Sequence, residues 1–267
     1  MIAFTKPFSP PNHIIITMLH VRKYLYNLIV IAKKHWWHSN KNFADFIDTI
    51  GIFTNISHDH LDYHKNMNLY LNSKMHLFKN LLKKKSKIIT DENNKEFKII
   101  KKIARRKKIK KITIGSKTGS IKILNNKYNK NKQFVKIHFN SKIYNLEIPL
   151  IGFFQIKNLL MAVLASILCG LDSKKIFNQL YKIKPIPGRL ECVARLNNNS
   201  NIIVDFAHTP DALEQSLIAL KKQFKNEIII IFGCGGDRDK KKRLVMGKIA
   251  SKYCRKIFIT DDNPRNE

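Results

Sequence analysis

A loop rich in histidine and aspartate could bind a metal ion. Asp59 and His60 follow residues 50–54, whose β-branched and apolar composition is that of a short buried strand. A loop at the end of a strand can aim the His60 imidazole at a metal ion, and Lys74, on the helical segment that follows, can return to the same cleft. The alternative is a turn in which these polar side chains cap that helix. The spacing alone leaves both interpretations open.

Two residues after another apolar run could bind a nucleotide. Asp205 and His208 follow the run at residues 202–204. An aspartate at the end of a strand can accept hydrogen bonds from ribose hydroxyls, and a histidine there can stack on a nucleotide or donate to it. The alternative for Asp205 is that it caps the helix that starts near Pro210.

A glycine-rich segment carries an arginine that could bind an anion. The glycines of residues 233–236 allow the backbone to approach a ligand, and Arg238 offers a planar fork for a carboxylate or phosphate. Arg265 lies in a polar segment that also follows an apolar run. Arg189 stands beside a linker, where the alternative is a turn with a surface ion pair. We expect ligands at the carboxyl ends of the strands, where open α/β sheets bind them.

The elements that position these groups follow from hydrophobic spacing. In the first part of the chain, short buried strands alternate with helices, and Asn-rich turns between residues 120 and 148 indicate β-hairpins. The predicted strands are at residues 50–54, 88–90 and 112–114, and the predicted helices run from after residue 60 to about residue 84, around residues 97–106 and over residues 155–169. Gly170 ends the last of these helices, and Asp172 starts another. Residues 1–40 form no recognisable pattern.

Pro185 and Pro187 mark a domain boundary. Beyond them, three predicted strands alternate with two predicted helices, which is typical of a parallel, doubly wound α/β sheet with right-handed crossovers. In chain order these are the strand 202–204, the helix 211–224, the strand 228–232, the helix 242–253 and the strand 257–260. The predicted division is residues 1–40 without assignment, a first domain at residues 41–184 and a second at residues 185–267. Because a parallel sheet needs more strands to bury both faces, we expect a chain that is cut short.

The strong positive charge has two interpretations. Lys and Arg number 50 against 19 Asp and Glu, a net charge of +31, which could indicate nucleic acid, a membrane surface or an acidic substrate. The excess is spread along the whole chain, mostly as Lys beside Asn and Ile, and aromatic residues do not interleave with the basic runs. We therefore favour a compositional bias, with lysines on solvated faces, and keep nucleic-acid binding as the alternative.

The cysteines and the apolar stretches indicate a cytoplasmic protein. The four cysteines form no C-x-x-C pair, which argues against a disulfide framework or a zinc site and suits a reducing compartment. Residues 14–32 are fairly apolar, but His20, Arg22 and Lys23 interrupt them, so no 18-residue apolar stretch is left for a membrane-spanning helix. No small-residue cleavage site follows a short apolar core, so we predict no signal peptide.

Taken together, these segments resemble the Mur ligases, and within that family the branch that adds diaminopimelate. The resemblance covers about residues 53–267, and six motifs carry it in the family's order and spacing. They are Thr54-Asn55-Ile56-Ser57-His58-Asp59-His60-Leu61-Asp62-Tyr63-His64, Gly152-Phe153-Phe154-Gln155-Ile156-Lys157-Asn158, Gly188-Arg189-Leu190-Glu191, residues 205–211, residues 233–239 and Asp262-Asn263-Pro264-Arg265. The resemblance implies a partial central ATPase domain followed by a partial Rossmann-like C-terminal domain, with the chain truncated at both ends.

The resemblance implies ATP-dependent amide synthesis. In this family the terminal carboxylate of the substrate is phosphorylated, and the amine of an incoming amino acid attacks the acyl phosphate. For this branch it implies the addition of meso-2,6-diaminopimelate to UDP-N-acetylmuramoyl-L-alanyl-D-glutamate in peptidoglycan precursor synthesis. ATP and Mg²⁺ are the implied cofactors, and Mg²⁺ would offset the negative charge that gathers between nucleotide and carboxylate.

The resemblance also implies roles for individual residues. His60 would be a Mg²⁺ ligand, and Lys74 would be the lysine that family members carbamylate to provide another carboxylate for metal binding. A cationic fork and an acceptor would both be needed for the distal zwitterion of diaminopimelate. The residues that would bind ATP are Asn158, Arg189, Asp205 and His208, and those that would bind diaminopimelate are Arg238, Asp262, Asn263, Pro264 and Arg265.

The chain also departs from the family's pattern. It contains no Gly-x-x-x-x-Gly-Lys-Ser/Thr phosphate loop, and its first glutamate is Glu92, so the metal-binding glutamate that the family has upstream of Phe53 has no counterpart. Gln155 stands where family members usually have an asparagine. We therefore expect that the chain alone does not turn over ATP. Two alternatives stay open: an inactive remnant, or one piece of a split enzyme whose other piece supplies the phosphate loop.

Overall fold

Seven strands of the first part of the chain form one mixed sheet. The computed structural model describes residues 14–16, 50–57, 64–198, 200–236 and 240–266. In sheet order the strands are β1 (Ile14–Ile16), β2 (Ile50–Phe53), β3 (Lys87–Asp91), β4 (Lys110–Gly115), β5 (Ile121–Asn129), β6 (Lys132–Phe139) and β7 (Lys142–Ile148). Strands β1 to β5 are parallel, and β5 to β7 form two antiparallel hairpins in the region where hairpins were predicted. Ile14–Ile16, within the stretch that sequence reasoning did not place, pairs with β2.

Helices lie on both faces of this sheet, which explains why β2 and β3 are buried along almost their whole length. Ile88 and Ile89 are neighbours in β3 and are both fully buried, in different clusters of core residues. The helices are α1 (Met67–His76), which continues as a π-helical turn (Leu77–Leu81), α2 (Phe97–Lys107), α3 (Phe153–Leu168) and α4 (Ser173–Phe177). Helices α1 and α2 belong to one cluster and α3 to the other, so the sheet is the middle layer of three.

Local signals fix the ends of several helices. The Asn66 side chain accepts a hydrogen bond from the Leu69 amide at 3.0 Å and caps α1. Asp172 caps α4 in the same way, at 2.7 Å from the Lys175 amide, as predicted. Gly170 follows α3 with a φ of +93°, the left-handed conformation in which glycine commonly ends a helix.

The second part of the chain forms two smaller sheets. Its elements are β8 (Glu191–Arg195), β9 (Asn201–Val204), α5 (Pro210–Phe224), β10 (Ile229–Phe232), α6 (Lys241–Tyr253) and β11 (Lys256–Ile259). The predicted α/β class is confirmed, and β10 and β11 are parallel as expected. The pairing expected for residues 202–204 is wrong: β9 forms an antiparallel pair with β8 rather than joining the parallel strands. Strand β8, which the sequence pattern did not reveal, lies next to β9 and pairs with its backbone groups in a short hairpin.

A small core supports the β10–β11 pair. Leu213 and Leu217 of α5 and Met246 of α6 are buried together, and Ile230 packs against them. On the other side of the same strand, Ile231 keeps 70% of its surface exposed. Among the described residues, α5 and α6 therefore cover one face of this pair.

Side chains from both parts of the chain meet at their junction. Ile151, Leu190 and Ala219 form one buried cluster. The buried Gln223 side chain of α5 donates to the Lys130 carbonyl at 2.7 Å and to the Lys132 carbonyl at 3.1 Å. Helix α5 is thus attached to the β5–β6 turn. In the part of the chain that the structure describes, no helix combines the length and the hydropathy needed to cross a membrane.

Candidate functional site

The proposed metal site lies only partly within the described residues. His60 is outside them, so its approach to Lys74 stays a prediction. Lys74 lies half-buried on α1, with its Nζ 4.6 Å from the centroid of the Tyr70 ring, and that ring stacks on His64 at 4.7 Å. Among the described residues, no three His, Cys, Asp or Glu side chains form a group that could hold a metal ion.

Asp205 lies at the carboxyl end of β9, where its carboxylate accepts a hydrogen bond from the Ser216 hydroxyl of α5. Burial raises the pKa of Asp205, while the Ser216 hydrogen bond, the Arg189 charge and backbone amides oppose that rise. The alternative that Asp205 caps α5 is wrong. Thr209 is the cap, because its hydroxyl oxygen accepts from the Ala212 amide at 3.3 Å.

A glycine turn brings Arg189 next to Asp205. Gly188 has a φ of +67°, and a Cβ there would lie 2.1 Å from Cε2 of Phe206, so only glycine fits without movement. The Phe206 amide donates to the Gly188 carbonyl at 2.9 Å, and the Arg189 guanidinium carbon is 5.4 Å from the centroid of the Phe206 ring. The turn that the alternative interpretation expected is present. Glu191 has a role inside it, because its carboxylate accepts from the Gly188 amide at 2.7 Å.

Asn158 and His208 are the other two residues proposed to bind ATP. Asn158 is half-buried near the start of α3. One helical turn before it, the Gln155 side-chain amide donates to the Ile151 carbonyl at 2.7 Å and to the Arg189 carbonyl at 3.1 Å. His208 is exposed, with its Nδ1 3.2 Å from the Phe206 carbonyl oxygen. The structure thus brings Arg189 and His208 to Phe206, the neighbour of Asp205, and it places Asn158 one helical turn after Gln155, which binds the Arg189 carbonyl.

The chemical groups of this cluster fit a nucleotide. Phe206 exposes a flat apolar ring with the Arg189 cation over it, and the same cation acts on the Asp205 carboxylate. An aromatic surface can stack on a base, a carboxylate can accept from ribose hydroxyls, and a guanidinium can bind phosphate oxygens. The residues present are therefore suited to ATP.

A cavity of about 290 Å³ lies at the carboxyl ends of β10 and β11. A Cβ at Gly233 would lie 2.3 Å from the Thr260 carbonyl oxygen, and one at Gly236 would lie 1.8 Å from that of Pro264. The glycines therefore allow two segments of the chain to approach each other, which we did not anticipate from the sequence. The residues that line the cavity include Gly233, Gly236, Arg243, Thr260, Asp261, Asp262 and Pro264.

The residues proposed to bind diaminopimelate are partly at this cavity. Asp262 and Pro264 line it, and the Asn263 carbonyl accepts from the Gly236 amide at 2.9 Å. Arg265 is exposed next to it, with a left-handed φ of +58°. Arg238 lies outside the described residues, and of those described the arginine that lines the cavity is Arg243.

Sequence reasoning missed the Ser216 partner of Asp205 and an ion pair of Lys157. Ser216 is buried on the apolar face of α5, one turn from Leu213, so a polar residue at this spacing could have indicated a buried partner. Lys157 forms an ion pair of 2.7 Å with Asp91, which is almost fully buried at the carboxyl end of β3. No local pattern predicts that contact, because the two residues are 66 positions apart.

Comparison with known proteins gives the family of this chain. The model of the Mur ligase middle domain matches residues 38–166, and the model of the Mur ligase glutamate ligase domain matches residues 188–267. UDP-N-acetylmuramoyl-L-alanyl-D-glutamate--2,6-diaminopimelate ligase of Rickettsia montanensis is 41% identical over 220 residues, which are 82% of this chain and 45% of the relative. The same ligase of Rickettsia typhi is 42% identical over 80% of this chain and 43% of the relative. The chain thus spans somewhat less than half the length of these relatives.

Solved structures share the fold. A UDP-N-acetylmuramoyl-L-alanyl-D-glutamate--2,6-diaminopimelate ligase matches with a TM-score of 0.58 at 30% identity, over 82% of this chain and 45% of its own. MurF from Acinetobacter baumannii matches with a TM-score of 0.67 at 17% identity, over 80% of this chain and 47% of its own. An FPGS-AMPPCP-folate complex matches with a TM-score of 0.64 at 17% identity, over 79% of this chain and 50% of its own. The last two show likeness of fold alone. On the two family models, and with relatives at about 41% identity, the chain belongs to the Mur ligase family of ATP-dependent amide ligases.

Proposed function

We propose that this chain is part of a ligase that adds meso-2,6-diaminopimelate to UDP-N-acetylmuramoyl-L-alanyl-D-glutamate, with ATP and Mg²⁺ as cofactors, in cytoplasmic peptidoglycan precursor synthesis. The observation that supports this assignment most is the 41% identity over 220 residues to relatives of that name. Fold similarity does not discriminate between a diaminopimelate ligase and a folate ligase. The folate complex has the higher TM-score, 0.64, at 17% identity, whereas the diaminopimelate ligase structure has a TM-score of 0.58 at 30% identity. The identity therefore supports the diaminopimelate branch over a folate ligase.

The cluster around Phe206 is the proposed nucleotide site. ATP, when bound, supplies the phosphoryl group that activates the substrate carboxylate. The Asp205 carboxylate accepts from the ribose hydroxyls, and the Arg189 guanidinium offsets phosphate charge. His208 and Asn158 are proposed as the remaining residues of this site. His60 and Lys74 are proposed as metal-site residues on the family resemblance alone.

The cavity at β10 and β11 is the proposed amino-acid site. Diaminopimelate carries a distal ammonium and carboxylate, so its pocket needs a carboxylate and a cationic fork. Asp262 supplies the first, and Arg265 with Arg238 supplies the second. Asn263 and Pro264 shape the segment between them. Arg243, which lines the cavity, is a further cation that would attract the amino-acid carboxylate.

Nucleotide binding is the first test. ATP is titrated into the purified chain, and the heat of binding gives the dissociation constant for wild type, Arg189→Ala and Asp205→Ala. We expect each variant to weaken ATP by at least about tenfold, since each loses a charged or hydrogen-bonding contact. Arg255→Ala is the control, because it removes an arginine from an exposed pair with Glu227. Equal affinities in all four proteins would contradict the nucleotide site.

Amino-acid binding is the second test. The same titration with meso-2,6-diaminopimelate is carried out on wild type and Arg265→Ala, again with Arg255→Ala as the control. Loss of a bidentate contact to a carboxylate corresponds to about 2–4 kcal/mol, or roughly 30- to 1,000-fold in affinity. ATP affinity should hardly change, because the proposed nucleotide site is elsewhere. Equal losses for both ligands would mean that Arg265 supports the fold, and the specificity assignment would be dropped.

A further inference from the structure

The Gln155 side chain connects the two parts of the chain at the proposed nucleotide site. It lies at the start of α3 and is 2% exposed. Its amide nitrogen donates to the carbonyls of Ile151 and Arg189, at 2.7 and 3.1 Å, so both amide hydrogens are used. The Ile151 bond is local, whereas the Arg189 bond joins α3 to the glycine turn 34 residues later in the chain.

The length of the side chain matters for this contact. An asparagine is shorter by one methylene, about 1.5 Å of bond length. With Arg189 already at 3.1 Å, that loss would take the amide beyond hydrogen-bonding distance. A glutamine at position 155 therefore makes a contact that asparagine could not make from the same backbone.

The turn that receives this bond is fixed from several directions. The Arg189 amide donates to the Ile186 carbonyl at 3.0 Å, and the Gly188 carbonyl accepts from Phe206 at 2.9 Å. These bonds hold the turn against its own part of the chain. Of these three hydrogen bonds, the one from Gln155 connects the turn to α3. Asn158 lies one helical turn after Gln155 on the same face of that helix.

We propose that Gln155 is a positioning residue, which holds Arg189 at a fixed place relative to Asn158 so that the two can bind one nucleotide. The nucleotide part of this proposal rests on the proposed function. The positioning part rests on the two hydrogen bonds and the burial of the Gln155 amide. Gln155 itself does not need to contact the ligand.

Two variants separate length from hydrogen bonding. Gln155→Met keeps the length and removes both donors, and Gln155→Asn keeps the donors and shortens the reach. The control is Ser166→Ala on the same helix, which removes a buried hydrogen bond to the Ala162 carbonyl, three helical turns beyond Gln155. Hydrogen exchange of the Arg189 and Phe206 amides is followed by mass spectrometry or NMR, together with titrations of ATP and diaminopimelate.

In both Gln155 variants we expect these two amides to exchange about tenfold faster and ATP to bind about tenfold more weakly, with unchanged diaminopimelate affinity. Ser166→Ala should change neither the exchange of these amides nor the ATP affinity, even if it lowers the melting temperature as much as the Gln155 variants do. Unchanged exchange in both variants would overturn the proposal, as would equal losses for ATP and diaminopimelate. If wild type fails to bind ATP, the proposed nucleotide site is wrong, and the exchange data still decide whether Gln155 positions the turn.

Discussion

The sheet of the first part and the β10–β11 pair are built from the same β-α units but are buried very differently. In the first part, helices cover both faces, so β2 and β3 are buried along almost their whole length. In the second part, α5 and α6 cover one face among the described residues, and the run Ile229–Phe232 alternates between exposed and half-buried side chains. An apolar run therefore predicts a strand in both places. How much each of its side chains contributes to the stability of the fold depends on whether helices cover one face of the sheet or both.

The largest expected difference between the two parts concerns truncation of apolar side chains. Leu160 of α3 is fully buried in the large core, so Leu160→Ala should lower the free energy of unfolding by about 2–5 kcal/mol. Ile231→Ala, at a side chain with 70% of its surface exposed, should change it by no more than about 0.5 kcal/mol. Urea unfolding followed by circular dichroism measures both. A similar loss for Ile231→Ala would mean that the outer face of β10 is covered in solution.

Ion pairs extend the comparison to charged groups. Lys157→Met leaves the buried Asp91 carboxylate without its partner, which should cost about 2–3 kcal/mol of unfolding free energy. Arg255→Met breaks an ion pair whose side chains are both mostly exposed, and it should cost under about 0.5 kcal/mol. The double variant Asp91→Asn/Lys157→Met should recover part of the first loss. If it recovers none, Lys157 contributes through its packing rather than its charge.

Local patterns predicted the elements of both parts, whereas long-range contacts escaped them. The ends of α3 and α4 were predictable, because Gly170 and Asp172 act on their immediate neighbours. The packing of Gly236 against Pro264, and the bond from Gln155 to Arg189, join residues that are far apart in sequence. Such contacts depend on how the elements meet. The cluster at Asp205 was therefore predicted by residue type, and its partner Ser216 was found only in the fold.

Two glycine substitutions in the second part of the chain test whether a tightly packed position there is sensitive to an added methyl group. Gly188→Ala forces a Cβ to within 2.1 Å of Phe206 at a positive φ, so it should cost about 1–3 kcal/mol of unfolding free energy. Gly247→Ala in α6 meets no atom within 4 Å and should be neutral or stabilising by up to about 1 kcal/mol. Urea unfolding of both variants makes the measurement. A neutral Gly188→Ala would indicate that Phe206 is not held in the turn.

The smallest expected effect is a dependence on pH at Asp205. Burial raises the pKa of this carboxyl, so the folded state binds its proton more tightly than the unfolded state does. Its contribution to stability is present below the unfolded pKa, about 3.9, and is lost as the pH rises through the higher folded pKa. Asp205→Asn has no such titration, and its amide oxygen can still accept from Ser216.

Wild type should therefore lose stability relative to Asp205→Asn as the pH rises from about 4 toward neutrality. Urea unfolding of both proteins across this range gives the difference. Ser216→Ala removes a hydrogen bond that opposes the rise in pKa, so it should shift the loss of stability to higher pH. A difference between wild type and Asp205→Asn that stays constant with pH would mean that Arg189 and the backbone amides fully compensate the buried charge. In that case the carboxylate would be held ionised, ready to accept hydrogen bonds, at no cost to the fold.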